Sequence, residues 1–239
     1  MNKNKILGAL GIFLLVFSLA IGCGSNSSLQ SHLDRDHDET IVIGYSNWVG
    51  WWPWAIAERE GIFARNNIKV ELKWYDSYSE SMEAFAAGQL DGNCQTLNDT
   101  VSFAAAAVNG EVIVLVNDNS AGNDKIIVAS EINRIEDLKQ QKVALEAGVV
   151  SDFLLSLALE SRGMKRTDLE IVDLETSAAV VAFTTKQTDV VGAFAPYWPI
   201  ALERAGAREL VSSADFPGSI PDLLVVSQKL IDEQPKIVL

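Results

Sequence analysis

The sequence predicts an α/β protein in two lobes, each built on a mostly parallel sheet. Three observations carry this. Short β-branched runs alternate with segments of helical period from Thr40 onward. Glycines or an Asn-Gly pair close the helical segments. An Asn/Asp/Gly-rich stretch from Asn117 to Asp124 then divides the strands into two sets and is a candidate hinge.

Taken in order, the expected strands are Ile41–Gly44, Val70–Trp74, Gly92–Gln95, Val112–Val116, Ile126–Ala129, Lys142–Leu145, Glu170–Val172, Val190–Ala193 and Leu223–Val226. Helices fall between them. Trp54–Glu60 stops at Gly61, Ser79–Ala87 at Gly88, and Asn98–Val108 at Asn109-Gly110, residues that tolerate a left-handed backbone. Ser151–Arg162 carries Phe153, Leu154, Leu157 and Ala158 on one stripe, with Ser151 as its expected cap. The lobes are expected at residues 40–124 and 125–222, with 223–239 returning to the first lobe.

The amino-terminal segment reads as an export signal over residues 1–22. Lys3 and Lys5 precede an apolar run from Ile6 to Ile21, 16 residues that fall short of the roughly 20 a spanning helix needs. Leu19-Ala20-Ile21-Gly22-Cys23 resembles a bacterial lipoprotein box, in which Cys23 is acylated; here Ala20 stands where that box usually has Leu. Residues 23–39 would then be a flexible tether, and the protein would be exported and lipid-anchored at the membrane, facing the periplasm or exterior. A Cys23–Cys94 disulfide is the competing use of the two cysteines.

The chain has 239 residues and a formal charge of −13, and loss of Lys3 and Lys5 with the signal makes it more acidic still. Such a balance excludes the concentrated basic surface that nucleic-acid binding requires. The strongest local feature is aromatic: Trp48, Trp51, Trp52 and Trp54 crowd into seven residues just after the first strand. In open α/β sheets ligands bind at the carboxyl ends of strands, so this turn is expected to wall a ligand cleft.

In order along the chain stand Ile43-Gly44-Tyr45, Ala57–Phe63, Met82–Asp91 with its helix, Gly88 and Asp91, Ile135–Lys139, Val143-Ala144-Leu145 followed by Gly148–Ser151, and Gly192–Tyr197. In their order and spacing these resemble the substrate-binding lipoproteins of ABC importers in the nitrate, sulfonate, taurine and thiamine-precursor group, the NMT1/THI5-like group. The resemblance implies a periplasmic-binding-protein-like fold whose lobes close on a small solute and present it to a membrane permease. A monomer is expected. Members of the group are usually longer, so the carboxyl-terminal part is expected to be truncated, exposing apolar surface on the first lobe.

Residues at strand ends and helix starts are the candidate cleft lining: Asn47, Trp48, Trp51, Asp76, Gln95, Thr96, Asp99, Asp118, Glu146, Ser151, Asp152, Tyr197 and Trp198. Aromatics and acids dominate, with no Arg or Lys. This composition favours a small nitrogen-containing cation held over Trp48 or Trp51 and by Asp76 or Glu146. The alternative is a small oxyanion, sulfonate or nitrate, at a helix amino end; Glu146, just ahead of Gly148, would repel it. An enzyme of the pyrimidine-synthesis type is a third reading. The only histidines, His32 and His37, lie in the tether, and Cys94 has no partner, which argues against His-based nucleophiles and zinc sites. No cofactor and no metal are expected. A sensor or adhesin lipoprotein would share the lipid signal but would not need an aromatic cleft between lobes.

Overall fold

The computed structural model describes residues 40–238. The signal segment, the whole tether including Cys23, and Leu239 lie outside the described residues. In chain order the elements are β1 (Ile41–Tyr45), α1 (Trp52–Arg59), α2 (Ile62–Arg65), β2 (Val70–Trp74), α3 (Tyr78–Ala86), β3 (Gly92–Thr96), α4 (Leu97–Phe103) and β4 (Val112–Asn119). Then follow β5 (Asp124–Val128), β6 (Lys142–Leu145), α5 (Val150–Glu160), β7 (Glu170–Asp173), α6 (Thr176–Thr184), β8 (Val190–Phe194), α7 (Trp198–Ala201), β9 (Arg208–Ser212), β10 (Pro221–Val226), α8 (Gln228–Glu233) and α9 (Pro235–Val238). Among the described residues no helix is long and apolar enough to cross a membrane.

The strands form two five-stranded sheets, ordered β2-β1-β3-β10-β4 and β7-β6-β8-β5-β9. In the first, β1 pairs in parallel with β2 and β3, as crossover helices require. β10 arrives from the second lobe and runs antiparallel to β3 and β4. The second sheet repeats the scheme, with β6 parallel to β7 and β8, and β5 antiparallel to β8 and β9. Each sheet is therefore mostly parallel, as expected, with one antiparallel member, because the strand that follows each crossing enters its sheet from the opposite end.

Local chemistry explains the joints. Gly61, Gly88, Gly110 and Gly163 all have positive φ, so the expected stop signals coincide with left-handed turns. In the Gly88–Asp91 motif, Asp91 accepts from the Val42 amide at 2.9 Å through Oδ2 and donates its own amide to the Val42 carbonyl. That exchange ties the entry of β3 to β1. The helix expected over Asn98–Val108 ends instead at Phe103, since the Val108 amide leaves the helix to bond the Ala86 carbonyl at the end of α3. Ser151 is not a cap: α5 starts from Val149 without a side-chain cap, and Ser151 is buried inside the first turn. The buried face of α5 is Leu154, Leu155, Ala158 and Leu159, rotated from the stripe expected. β9 was not expected at all, because Arg208-Glu209-Leu210-Val211-Ser212 is a short edge strand with little apolar content.

Two segments cross between the sheets, from β4 to β5 and from β9 to β10. They are laced together: the Ser120 amide donates to the Ile220 carbonyl at 2.9 Å, and Ser213 Oγ lies 2.8 Å from Ser120 Oγ and accepts from the Gly122 amide at 2.7 Å. β5 begins at Asp124 and β10 at Pro221, slightly ahead of the positions expected. On the first sheet the outer strand β4 exposes Ile113, Leu115 and Val116, and an apolar groove of about 300 Å³ beside it is lined by Ile41, Val114, Leu224 and Ile237 among others.

Candidate functional site

The carboxyl ends of β1, β3, β6 and β8 and the starts of the antiparallel β5 and β10 meet between the two sheets. Antiparallel entry is what brings the first residues of β5 and β10 to the same level as the last residues of their neighbours. A cavity of about 20 Å³ results. Its lobe 1 wall is Ser46, Trp48, Trp51, Tyr78 and Thr96, with Asp222 from the returning strand; its lobe 2 wall is Asp124, Val150 and Phe194. Among the described residues no Lys or Arg lines it.

The aromatic rings form a continuous box. Trp48 meets Phe194 edge-on at 6.3 Å and tilts against Trp51 at 6.5 Å, while Trp51 lies 5.5 Å from Tyr78. Tyr78 is held from behind: its hydroxyl donates to Asp99 Oδ2 at 2.8 Å and accepts from the Thr96 amide at 3.0 Å. Thr96 Oγ1 also donates to Asp99 Oδ2, at 2.7 Å. Burial raises the Asp99 carboxyl to about 7, against the pull of these two donors.

A second group of acids sits at the crossover. Asp222 and Asp118 are register partners on β10 and β4, and the charge of Asp118 acts on the Asp222 carboxyl. Trp48 Nε1 donates to Asp118 Oδ2 at 3.3 Å. Gly50 makes this approach possible, since a Cβ there would fall 1.5 Å from Asp118 Oδ2 and 2.6 Å from Trp48 Nε1. Burial first, and then the neighbouring charge of Asp118, push Asp222 up to about 10. Burial lifts Asp124 to about 6. Asp222 Oδ2, Ser46 Oγ and Trp51 Nε1 are buried without a hydrogen-bond partner.

The lobes also touch directly around the cavity. Glu146, after β6, accepts from the Ser79 amide at 3.1 Å and from Ser79 Oγ at the amino end of α3, and from Thr176 Oγ1 at 3.1 Å within its own lobe. Asn47 Nδ2 donates to the Tyr197 hydroxyl at 3.2 Å.

Of the residues expected from sequence, Trp48, Trp51 and Thr96 line the cavity, and Asp118 stands one hydrogen bond behind it. Asn47, Glu146 and Tyr197 lie at contacts between the lobes. Others lie elsewhere. Asp76 is exposed and accepts from Trp74 Nε1 at 2.8 Å. Gln95 is buried below, donating to Thr100 Oγ1 and accepting from Asn93. Ser151 packs where a Cβ on Gly192 would meet it at 3.1 Å. Asp152 accepts from the Gly148 amide and from Arg166, and lines a wider outer groove. Trp198 packs under the Lys125 ammonium, 4.8 Å from its ring, and that ammonium is paired with Glu209. Two of the four clustered tryptophans serve elsewhere: Trp54 stacks on Phe63 and donates to Asn117, and Trp52 is exposed.

Sequence reading missed Ser46, Tyr78, Asp124, Phe194 and Asp222. Asp124 and Asp222 stand at crossover strands, and an antiparallel entry was the one signal that could have placed them in the cleft. Among the described residues no grouping of His, Cys, Asp and Glu is suited to hold a metal. Cys94 is a buried free thiol.

Two laced crossovers, two mixed sheets and a cavity between them define a periplasmic-binding-protein-like architecture. The chain belongs to the NMT1-like family, which it matches over residues 34–239. It is similar to a Brucella abortus protein named only as a binding protein, at 26% identity over 83% of this chain and 62% of that protein. It is also similar to the taurine-binding periplasmic protein of Escherichia coli, at 26% identity over 78% of this chain and 58% of that one. The chain thus spans about three fifths of the length of these curated relatives. In fold it resembles the periplasmic aliphatic sulphonate binding protein SsuA of Escherichia coli, with a TM-score of 0.71 and 24% identity over 84% of this chain and 69% of that one. The nitrate-binding protein NrtA of Synechocystis gives a TM-score of 0.66 at 14% identity, over 82% of this chain and 57% of that one.

Proposed function

We propose that this chain is the extracytoplasmic solute-binding receptor of an ABC importer, which closes two lobes around a small nitrogen-containing solute and delivers it to a membrane permease. The observation that carries the reading is the cavity itself, walled by both lobes, boxed by four aromatic rings and bordered by buried acids with no cation. Solute contacts to both walls add to the direct contacts between the lobes in favouring closure, and the crossovers near Gly122–Lys125 and Ser219–Asp222 are where a hinge would turn. Export, acylation of Cys23 and attachment through residues 23–39 belong to the same proposal, as do a monomeric state and the absence of enzymatic activity. The names of the sulfonate- and taurine-binding relatives favour a second reading, an oxyanion in the same role.

Calorimetric titration with small amines and small sulfonates tests the role and separates the two readings. Trp48→Ala is expected to weaken solute binding at least tenfold, about 1.4 kcal/mol, while the chain still unfolds in one cooperative transition. Unchanged affinity in that variant would remove the aromatic turn from the site.

A further inference from the structure

We propose that Asp222, backed by Asp118, is the seat for the ammonium head of the solute, and that this head must carry N–H groups. The inference rests on the receptor reading above and names its ligand class. Asp222 is 2% exposed and faces the cavity with Oδ2 unpartnered; Ser46, 2% exposed, presents an unpartnered Oγ to the same space. Asp222 Oδ2 can accept a hydrogen bond and the Ser46 hydroxyl can accept as well as donate, so an N–H group between them satisfies both. A buried acceptor left unsatisfied is costly, so an N–H cation recovers what the bare site loses. Trp51 Nε1 is an unpartnered donor at the same cavity, and an oxygen on the solute close to its nitrogen satisfies it.

Size and charge select the same class. The cavity of about 20 Å³ holds a single water-sized group. An ammonium nitrogen is of that size, while the rest of a solute, like a sulfonate head with three oxygens, needs the lobes to part. Trp48, Trp51 and Phe194 line the cavity, and an aromatic ring face there attracts a cation. The nearest cation in sequence, Lys125, does not supply the missing donor, because its ammonium is committed to Glu209 and Trp198.

The test is calorimetry on the full chain with three probes: ethanolamine, which has N–H groups and one hydroxyl; choline, the same skeleton without N–H; and methanesulfonate. Ethanolamine is expected to bind, choline at least tenfold more weakly, and methanesulfonate not measurably. Asp222→Asn keeps the shape of the neutral acid, so its thermal midpoint should hold; it cannot release a proton to solvent and become the carboxylate that pairs with an ammonium, so ethanolamine affinity should fall at least tenfold. Equal binding of ethanolamine by Asp222→Asn, or of choline by the unaltered chain, overturns the seat. Methanesulfonate binding without ethanolamine binding overturns it too but leaves the receptor role standing. Binding of none of the three by a folded chain removes both.

Discussion

Glu146 and Asp222 are both buried carboxylates of the cleft, 5% and 2% exposed, and they are treated in opposite ways. Glu146 receives three donors, two from Ser79 in the opposite lobe and one from Thr176 in its own. Asp222 receives no donor on Oδ2 and meets another acid, Asp118. Burial therefore does not by itself mark a ligand contact. A carboxylate whose oxygens are filled by the chain holds the lobes together, and one left short of donors is where a ligand has something to add. The amino end of α3 is the kind of place that takes an oxyanion, and here the chain's own Glu146 already stands there.

The contrast is broken most severely by removing the satisfied member. Glu146→Ala deletes three hydrogen bonds, each worth about 1.5–3 kcal/mol when one partner is charged, and strands the Ser79 amide. Closure should weaken by several kcal/mol, seen as a larger radius of gyration in small-angle scattering and a lower thermal midpoint. An unchanged scattering profile would show that Glu146 is not the clasp. The variant should also begin to accept methanesulfonate, because the α3 amino end is then free of its internal carboxylate.

How much of this was legible in the sequence follows the same division. The parallel strands and most glycine stops were readable because period and left-handed turns are local properties: Gly61, Gly88 and Gly163 follow helix ends as expected, whereas Gly110 lies in a turn beyond the end of α4 at Phe103. Trp48 and Trp51 were readable as cleft residues because strand ends bind ligands in this class of sheet. Asp124 and Asp222 were not, because each starts a strand that pairs antiparallel after a crossing, and no local pattern reveals from which end a strand enters its sheet. Asp76 was misplaced for a related reason: two residues from Trp74 it finds a surface partner, a contact that spacing alone does not distinguish from a cleft position. Glu146 was read as a ligand contact or an oxyanion repellent, and only tertiary structure shows that its partner is Ser79.

The second way to sharpen the comparison is pH. Asp222 stands at about 10, Asp99 and Glu111 at about 7 and Asp124 at about 6, all raised chiefly by burial. A carboxyl raised in the folded state holds its proton where the unfolded chain has lost it. The folded form then binds more protons, and stability must fall as pH rises from about 4 through each folded value. Around pH 8–9 only Asp222 of these four still differs between the two states, giving a slope of about −1.4 kcal/mol per pH unit for one proton. Chemical denaturation at pH 6, 8 and 9 should show this decline, and Asp222→Asn should flatten its upper part. A decline that persists unchanged in the variant would assign the proton elsewhere.

The smallest effect is expected at the other direct contact between the lobes. Tyr197→Phe removes only the acceptor of Asn47 Nδ2, a bond of 3.2 Å between half-buried groups. Water can replace the lost oxygen there, so the cost should be about 0.5–1.5 kcal/mol. It should show as a modest fall in solute affinity with an unchanged thermal midpoint, since the ring remains packed on Phe194 at 5.6 Å. If this variant lost as much affinity as Asp222→Asn, lobe closure and not charge would be the main source of binding energy. The difference between a filled carboxylate and an unfilled one would then matter less than the clasp they share.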